Sequence, residues 1–131
     1  MILKSLRHAL AQLALMAALA APAMAGEVRG WDAAAFAAAQ AAGDPVVIHV
    51  TAPWCPTCHA QTPVIAALAA SADYPDLLVF EVDFDSQKNV LRGFGVRHQS
   101  TLIAYRGGRE VARVVGVTDT GALASFVAET R

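Results

Sequence analysis

The chain has 131 residues, room for one domain, with ten Lys/Arg, eleven Asp/Glu and four His, for a formal net charge of −1. Its basic residues form no block, which argues against nucleic acid as a partner, because phosphate binding needs clustered Lys or Arg. Its two cysteines are too few for a disulfide scaffold, and a domain of this size buries a core without one.

The first residues read as a targeting segment. Lys4 and Arg7 precede an apolar run over 9–21, and Pro22 is followed by Ala23-Met24-Ala25. That is the order of a secretory signal peptide over 1–25, expected to be cut after Ala25, with one domain over 26–131. An uncleaved membrane anchor is the rival reading, but the run is short for a span of about 20 residues; after cleavage no stable membrane insertion is expected. The mature part keeps eight Lys/Arg against eleven Asp/Glu, a net charge of −3. Export to the periplasm or the exterior puts its cysteines in a disulfide-permissive compartment.

Residues 32–42 are Ala-rich, with Phe36 the large apolar group inside and Trp31 just ahead, and predict a helix stopped by Gly43-Asp44-Pro45. Residues 46–51, Val-Val-Ile-His-Val-Thr, form a β-branched run suited to a strand buried on both faces. A helix is expected from 55 to about 70, with Pro56 in its first turn, where the N–H is not needed. Pro63 should kink it. A second strand over 77–84 and a short helix over 86–93 follow. Two strands over 101–106 and 110–115 flank Gly107-Gly108, a hairpin signal. Thr118 or Thr120 is placed to cap a last helix whose Leu123, Phe126 and Val127 share one face. Helices between the early strands imply parallel crossovers, and the hairpin is antiparallel. The expected class is α/β, a mixed sheet with helices on both sides.

Both cysteines fall in Trp54-Cys55-Pro56-Thr57-Cys58. At a helix N-terminus, unpaired N–H groups and the dipole favour an anion, so Cys55 is the expected thiolate nucleophile. Cys58, one turn further in, is expected to be the more buried and to resolve the mixed disulfide. A structural disulfide closing so short a loop removes little chain entropy. Zinc normally takes four ligands, and this chain has a single cysteine pair. A redox pair is the leading reading of a C-x-x-C beside a βαβ pattern.

Trp54-Cys55-Pro56-Thr57-Cys58 with Pro63 five residues on resembles the W-C-x-x-C motif of the thioredoxin family. The likeness extends over the mature chain through Phe94-Gly95-Val96-Arg97, the 101–105 strand, Gly107-Gly108 and Gly116. It implies a thioredoxin fold with a mixed four- or five-stranded central sheet, and thiol–disulfide exchange with no cofactor beyond the Cys55–Cys58 pair. Trp54, Pro56, Thr57, Gln99, Ser100 and Thr101 are the residues it places against a substrate.

Three positions depart from the family. Ser100 stands where the family usually has a cis-proline; since a non-proline cis peptide costs about 2.5–4 kcal/mol, Gln99–Ser100 is expected to be trans. The Ser100 hydroxyl is then placed to donate to the Cys55 thiolate. His49 replaces a buried aspartate beneath the second cysteine, and Glu81 replaces the lysine that often partners it. The expectation is that His49, oriented by Glu81, takes the proton of Cys58 during resolution. His59 is expected to face solvent, with Arg97 and His98 beside the Ser100 loop.

These readings imply an exported thiol–disulfide oxidoreductase acting on protein disulfides and dithiols. The resemblance favours a reductant recharged by a membrane electron donor of the DsbD or CcdA kind. A disulfide-forming oxidant is the alternative within the class. The alternative from another class is a copper-binding module using Cys55, Cys58 and His59.

Overall fold

The structure, a computed structural model, describes residues 26–131; the expected signal peptide lies outside the described residues. The elements are β1 (Glu27–Gly30), α1 (Ala33–Ala42), β2 (Pro45–Thr51), α2 (Pro56–Ala70), β3 (Leu78–Asp83), α3 (Lys88–Phe94), β4 (Thr101–Arg106), β5 (Arg109–Val115) and α4 (Thr120–Ala128). The strands form one sheet in the order β1-β3-β2-β4-β5. β1, β3 and β2 run parallel, and β4 and β5 are antiparallel additions. No helix of the described residues is long and apolar enough to cross a membrane.

β1 is the element that sequence patterning leaves out. It is a four-residue edge strand with no apolar alternation; Val28 is among its exposed residues. Its existence rests on pairing with Leu78 to Glu81 of β3, and short charged edges of this kind resist pairing with other chains.

β2 lies in the middle of the sheet, and its run of apolar residues is buried on both faces, as a central strand requires. On one face, Val47, Val79, Leu102 and Ala104 pack under Ile65 and Ala69 of α2 and Leu123, Phe126 and Val127 of α4. On the other, Val46, Ile48, Val50, Phe80 and Ile103 meet Ala39 of α1 and Leu91 of α3. Phe36 stands edge-on to Phe80, Phe94 and Tyr105 there, with ring centroids 5.5–6.0 Å apart. Those rings orient α1, whose alanines define no buried stripe themselves.

Caps set the helix limits. Asp32 Oδ1 accepts from the Ala35 N–H at 2.9 Å, and Gly43, at φ 77°, closes α1 in the left-handed region that side chains disfavour. α4 starts on Asp119, not on Thr118 or Thr120: its Oδ1 accepts from the Ala122 N–H at 2.8 Å. Asp119 holds the cap geometry while Thr120 is already helical, and a carboxylate is also favoured by the helix dipole. α2 runs unbroken past Pro63, which lacks the N–H that would reach the His59 carbonyl.

Candidate active site

β2 leads directly into the site. After Thr51 the chain turns through buried Ala52, and the Cys55 N–H donates to the Ala52 carbonyl at 3.1 Å. Cys55 is the N-cap of α2, with extended φ and ψ, and Pro56 occupies the first helical position. The Cys55 sulfur accepts from the Cys58 N–H at 3.1 Å, so a backbone donor faces it where the helix dipole also favours negative charge. Cys55 and Cys58 are joined in a disulfide, their Cα atoms 5.3 Å apart. The expectation that Cys58 is the more buried does not hold: each cysteine is 1% exposed. Both pack with Ala52, against which Phe84 leans.

Trp54 is 56% exposed and forms the rim. Its Nε1–H donates to Asp85 Oδ2 at 2.8 Å, and its ring stands edge-on to Phe84. Pro56 is exposed, Thr57 and Gln99 are half-buried, and His59, Arg97 and His98 are exposed. Thr101 is buried and donates its hydroxyl to the His98 carbonyl at 2.6 Å, so it shapes the loop from inside.

The Gln99–Ser100 peptide is trans, and Ser100 has φ 57°, the one positive value outside glycine among the described residues. Its N–H donates to the Val50 carbonyl at 2.9 Å. The Cys58 sulfur lies 3.9 Å from that same oxygen, which brings the loop and Cys58 together over the end of β2. In the disulfide the Ser100 hydroxyl donates to the Gln99 carbonyl at 2.5 Å. The left-handed backbone turns the serine onto its own peptide.

His49 is 1% exposed and is Glu81's neighbour in the β2–β3 register. The expected His49–Glu81 pair is nevertheless absent among the described residues. His49 Nε2 instead lies 3.1 Å from Gln61 Oε1. Glu81 is half-buried, and its neighbour on β1 is Gly30, which has no side chain to cover it. A carboxylate that keeps water at hand has no need of an imidazole partner.

Gln61 is the residue that sequence reasoning passed over. It is 0% exposed, and its Nε2 donates to the Ser100 carbonyl at 3.2 Å and the Val117 carbonyl at 2.9 Å. The signal for it was helical spacing: Cys58, Gln61, Ile65 and Ala69 are the buried face of α2, so a glutamine one turn after Cys58 had to be inside and paired.

Burial holds the His49 imidazole below its ordinary value of 6.5, and the Gln61 hydrogen bond opposes this only in part. Folded protein therefore binds fewer protons at this residue than unfolded chain does. The contribution to stability is complete above pH 6.5 and is lost as pH falls through the lowered folded value. Urea titrations between about pH 5 and pH 8, a range around the reference imidazole value, should show wild type losing stability on acidification. His49→Asn should lose less over the same range.

No cluster of three or more His, Cys, Asp or Glu side chains suited to a metal ion forms among the described residues.

The family model described as Thioredoxin matches residues 28–129. Thioredoxin from Chlamydia muridarum is 36% identical over 84 residues, spanning 64% of this chain and 80% of that one. Thioredoxin-2 of Saccharomyces cerevisiae is 38% identical over 86 residues, 65% of this chain and 81% of its own. Among solved structures, Trxlp from Edwardsiella tarda EIB202 superposes with a TM-score of 0.75 at 46% identity, covering 77% of this chain and 98% of that one. Oxidised thioredoxin O2 from Arabidopsis thaliana gives 0.64 at 32% identity, over 80% and 94%.

Proposed function

The chain belongs to the thioredoxin family and is a thiol–disulfide oxidoreductase, and from that premise we propose that it works outside the cytoplasm as a reductant of protein disulfides. The observation that carries the chemistry is Cys55 at the N-cap of α2, accepting the Cys58 N–H. In the dithiol, Cys55 attacks a substrate disulfide as thiolate and forms a mixed disulfide, releasing one substrate thiolate. Cys58 gives its proton to His49 and attacks Cys55, which closes the Cys55–Cys58 disulfide and releases the second substrate thiolate. The rim of Trp54, Pro56, Thr57 and the loop at Gln99 and Ser100 receives the substrate.

The reducing direction is supported by how modestly the site stabilises a thiolate. Cys55 accepts one backbone N–H, while its other surroundings, Ala52 and the Phe84 ring, are apolar and disfavour an anion. An oxidant of this family is strong because its reduced form is stabilised; a site without that feature leaves the disulfide as the favoured state and makes the dithiol reducing. Equilibration with glutathione should give a potential near about −270 mV, and a value near about −120 mV would make the protein an oxidant instead. The leader over 1–25 supports export, and an exported dithiol needs a membrane donor of the DsbD or CcdA kind to recharge it. Protein isolated from its own cells should begin at Gly26.

A further inference from the structure

We propose that Gln61 is a positioning residue that holds His49 in the Nε2–H tautomer, leaving Nδ1 as the atom that takes the proton of Cys58. This rests on the role given to His49 above and adds what fixes it. The argument is one of donors and acceptors. The carbonyls of Ser100 and Val117 only accept, so the two N–H bonds of the Gln61 amide must face them, at 3.2 and 2.9 Å. That leaves Oε1, which also only accepts, toward His49 Nε2 at 3.1 Å. The imidazole must therefore carry its hydrogen on Nε2, and in the neutral ring Nδ1 is then a bare lone pair. Every donor and acceptor of the Gln61 amide is matched in this arrangement, and turning the amide over would set two acceptors against its oxygen.

The surroundings keep the ring neutral and aim the network at the reaction. Burial disfavours imidazolium. Beside His49 in the sheet stand Glu81 of β3 and Leu102 of β4, and Gln61 of α2 meets its ring. Cys58 and Gln61 lie on the same buried face of α2, and the Cys58 sulfur rests by the carbonyl of Val50, the residue after His49. Ser100 O also accepts from the Gly116 N–H at 3.0 Å, so the same amide braces the substrate loop. During resolution the Cys58 S–H bond breaks and its proton passes to Nδ1. The freed sulfur lone pair forms the bond to Cys55 as the Cys55–substrate bond breaks. The departing substrate thiolate takes that electron pair and then the proton from the imidazolium.

Nitrogen-15 NMR of the reduced wild-type protein should show His49 protonated at Nε2 and bare at Nδ1; the opposite pattern overturns the proposal without any variant. In Gln61→Met the tautomer ratio should move by about fivefold, the effect of one hydrogen bond, and resolution should slow by a similar factor. First attack by Cys55, followed in the Cys58→Ala background, should keep its rate. Gln61→Glu should raise the imidazole midpoint, since a carboxylate there favours imidazolium. An unmoved tautomer ratio in Gln61→Met, or an unmoved midpoint in Gln61→Glu, counts against Gln61. His49→Asn separates the two ideas: an unchanged pH profile of resolution removes His49 as acceptor, whereas the tautomer measurement judges Gln61 alone.

Discussion

Replacing Cys58 by alanine is expected to turn the protein from a catalyst into a trap. The alanine keeps the backbone N–H that faces the Cys55 sulfur, so the nucleophile and its activation remain. Nothing is left to resolve the adduct, and each substrate stays bound to Cys55 through a mixed disulfide. Turnover with a protein disulfide should fall at least on the order of 10⁴-fold, the lower end of the losses seen when a residue of a concerted catalytic unit is removed. Cys55→Ala should be as inactive yet trap nothing. The measurement is non-reducing electrophoresis with identification of the adducts from cells expressing each variant. Adducts with Cys55→Ala and none with Cys58→Ala would reverse the assignment of attacking and resolving sulfurs. Because the two cysteines are equally buried in the disulfide, exposure does not distinguish them; the cap position does.

Ser100→Pro, which would install the family's usual residue, is expected to destabilise this protein by about 2–4 kcal/mol. Two features of the loop oppose it. Ser100 has φ 57°, whereas proline holds φ near about −65°. The Ser100 N–H also donates to the Val50 carbonyl at 2.9 Å, and proline has no N–H to give. Ser100→Gly is the control. It relieves a left-handed cost of about 1–2 kcal/mol but raises the entropy of the unfolded chain by about 0.5–1 kcal/mol, so its stability should equal or slightly exceed wild type. Urea unfolding of the oxidised proteins gives both numbers. A proline variant as stable as wild type would mean that this loop moves freely into the family's geometry, and that the Val50 bond holds it only weakly.

Substrate turnover by the two loop variants separates stability from chemistry. The Ser100 carbonyl is held by Gln61 and by the Gly116 N–H, so rearranging residue 100 disturbs the Gln61 amide that faces His49. Ser100→Pro should therefore slow resolution as well as weaken the fold, while Ser100→Gly, which keeps the backbone path, should leave the rate near wild type.

Local signals in the sequence were enough for most of the architecture. The β-branched run of 46–51 had to be a strand buried on both faces, Gly107-Gly108 had to turn a hairpin, and Pro56 and Cys55 had to begin a helix. Each of these depends on residues adjacent in the chain, and the cysteine pair three residues apart belongs with them. The trans peptide before Ser100 was legible too, because a serine seldom repays the cost of cis. What the chain left to its tertiary structure was pairing over distance. β1 is a strand through the backbone of β3, not through its own side chains. The choice of Gln61 over Glu81 for His49 is made by residues 12, 39 and 56 positions apart converging on one amide. Glu81 is opposite His49 in the register and is still not its partner. Register brings side chains near one another, but a buried polar group goes to the neighbour that satisfies every donor and acceptor at once.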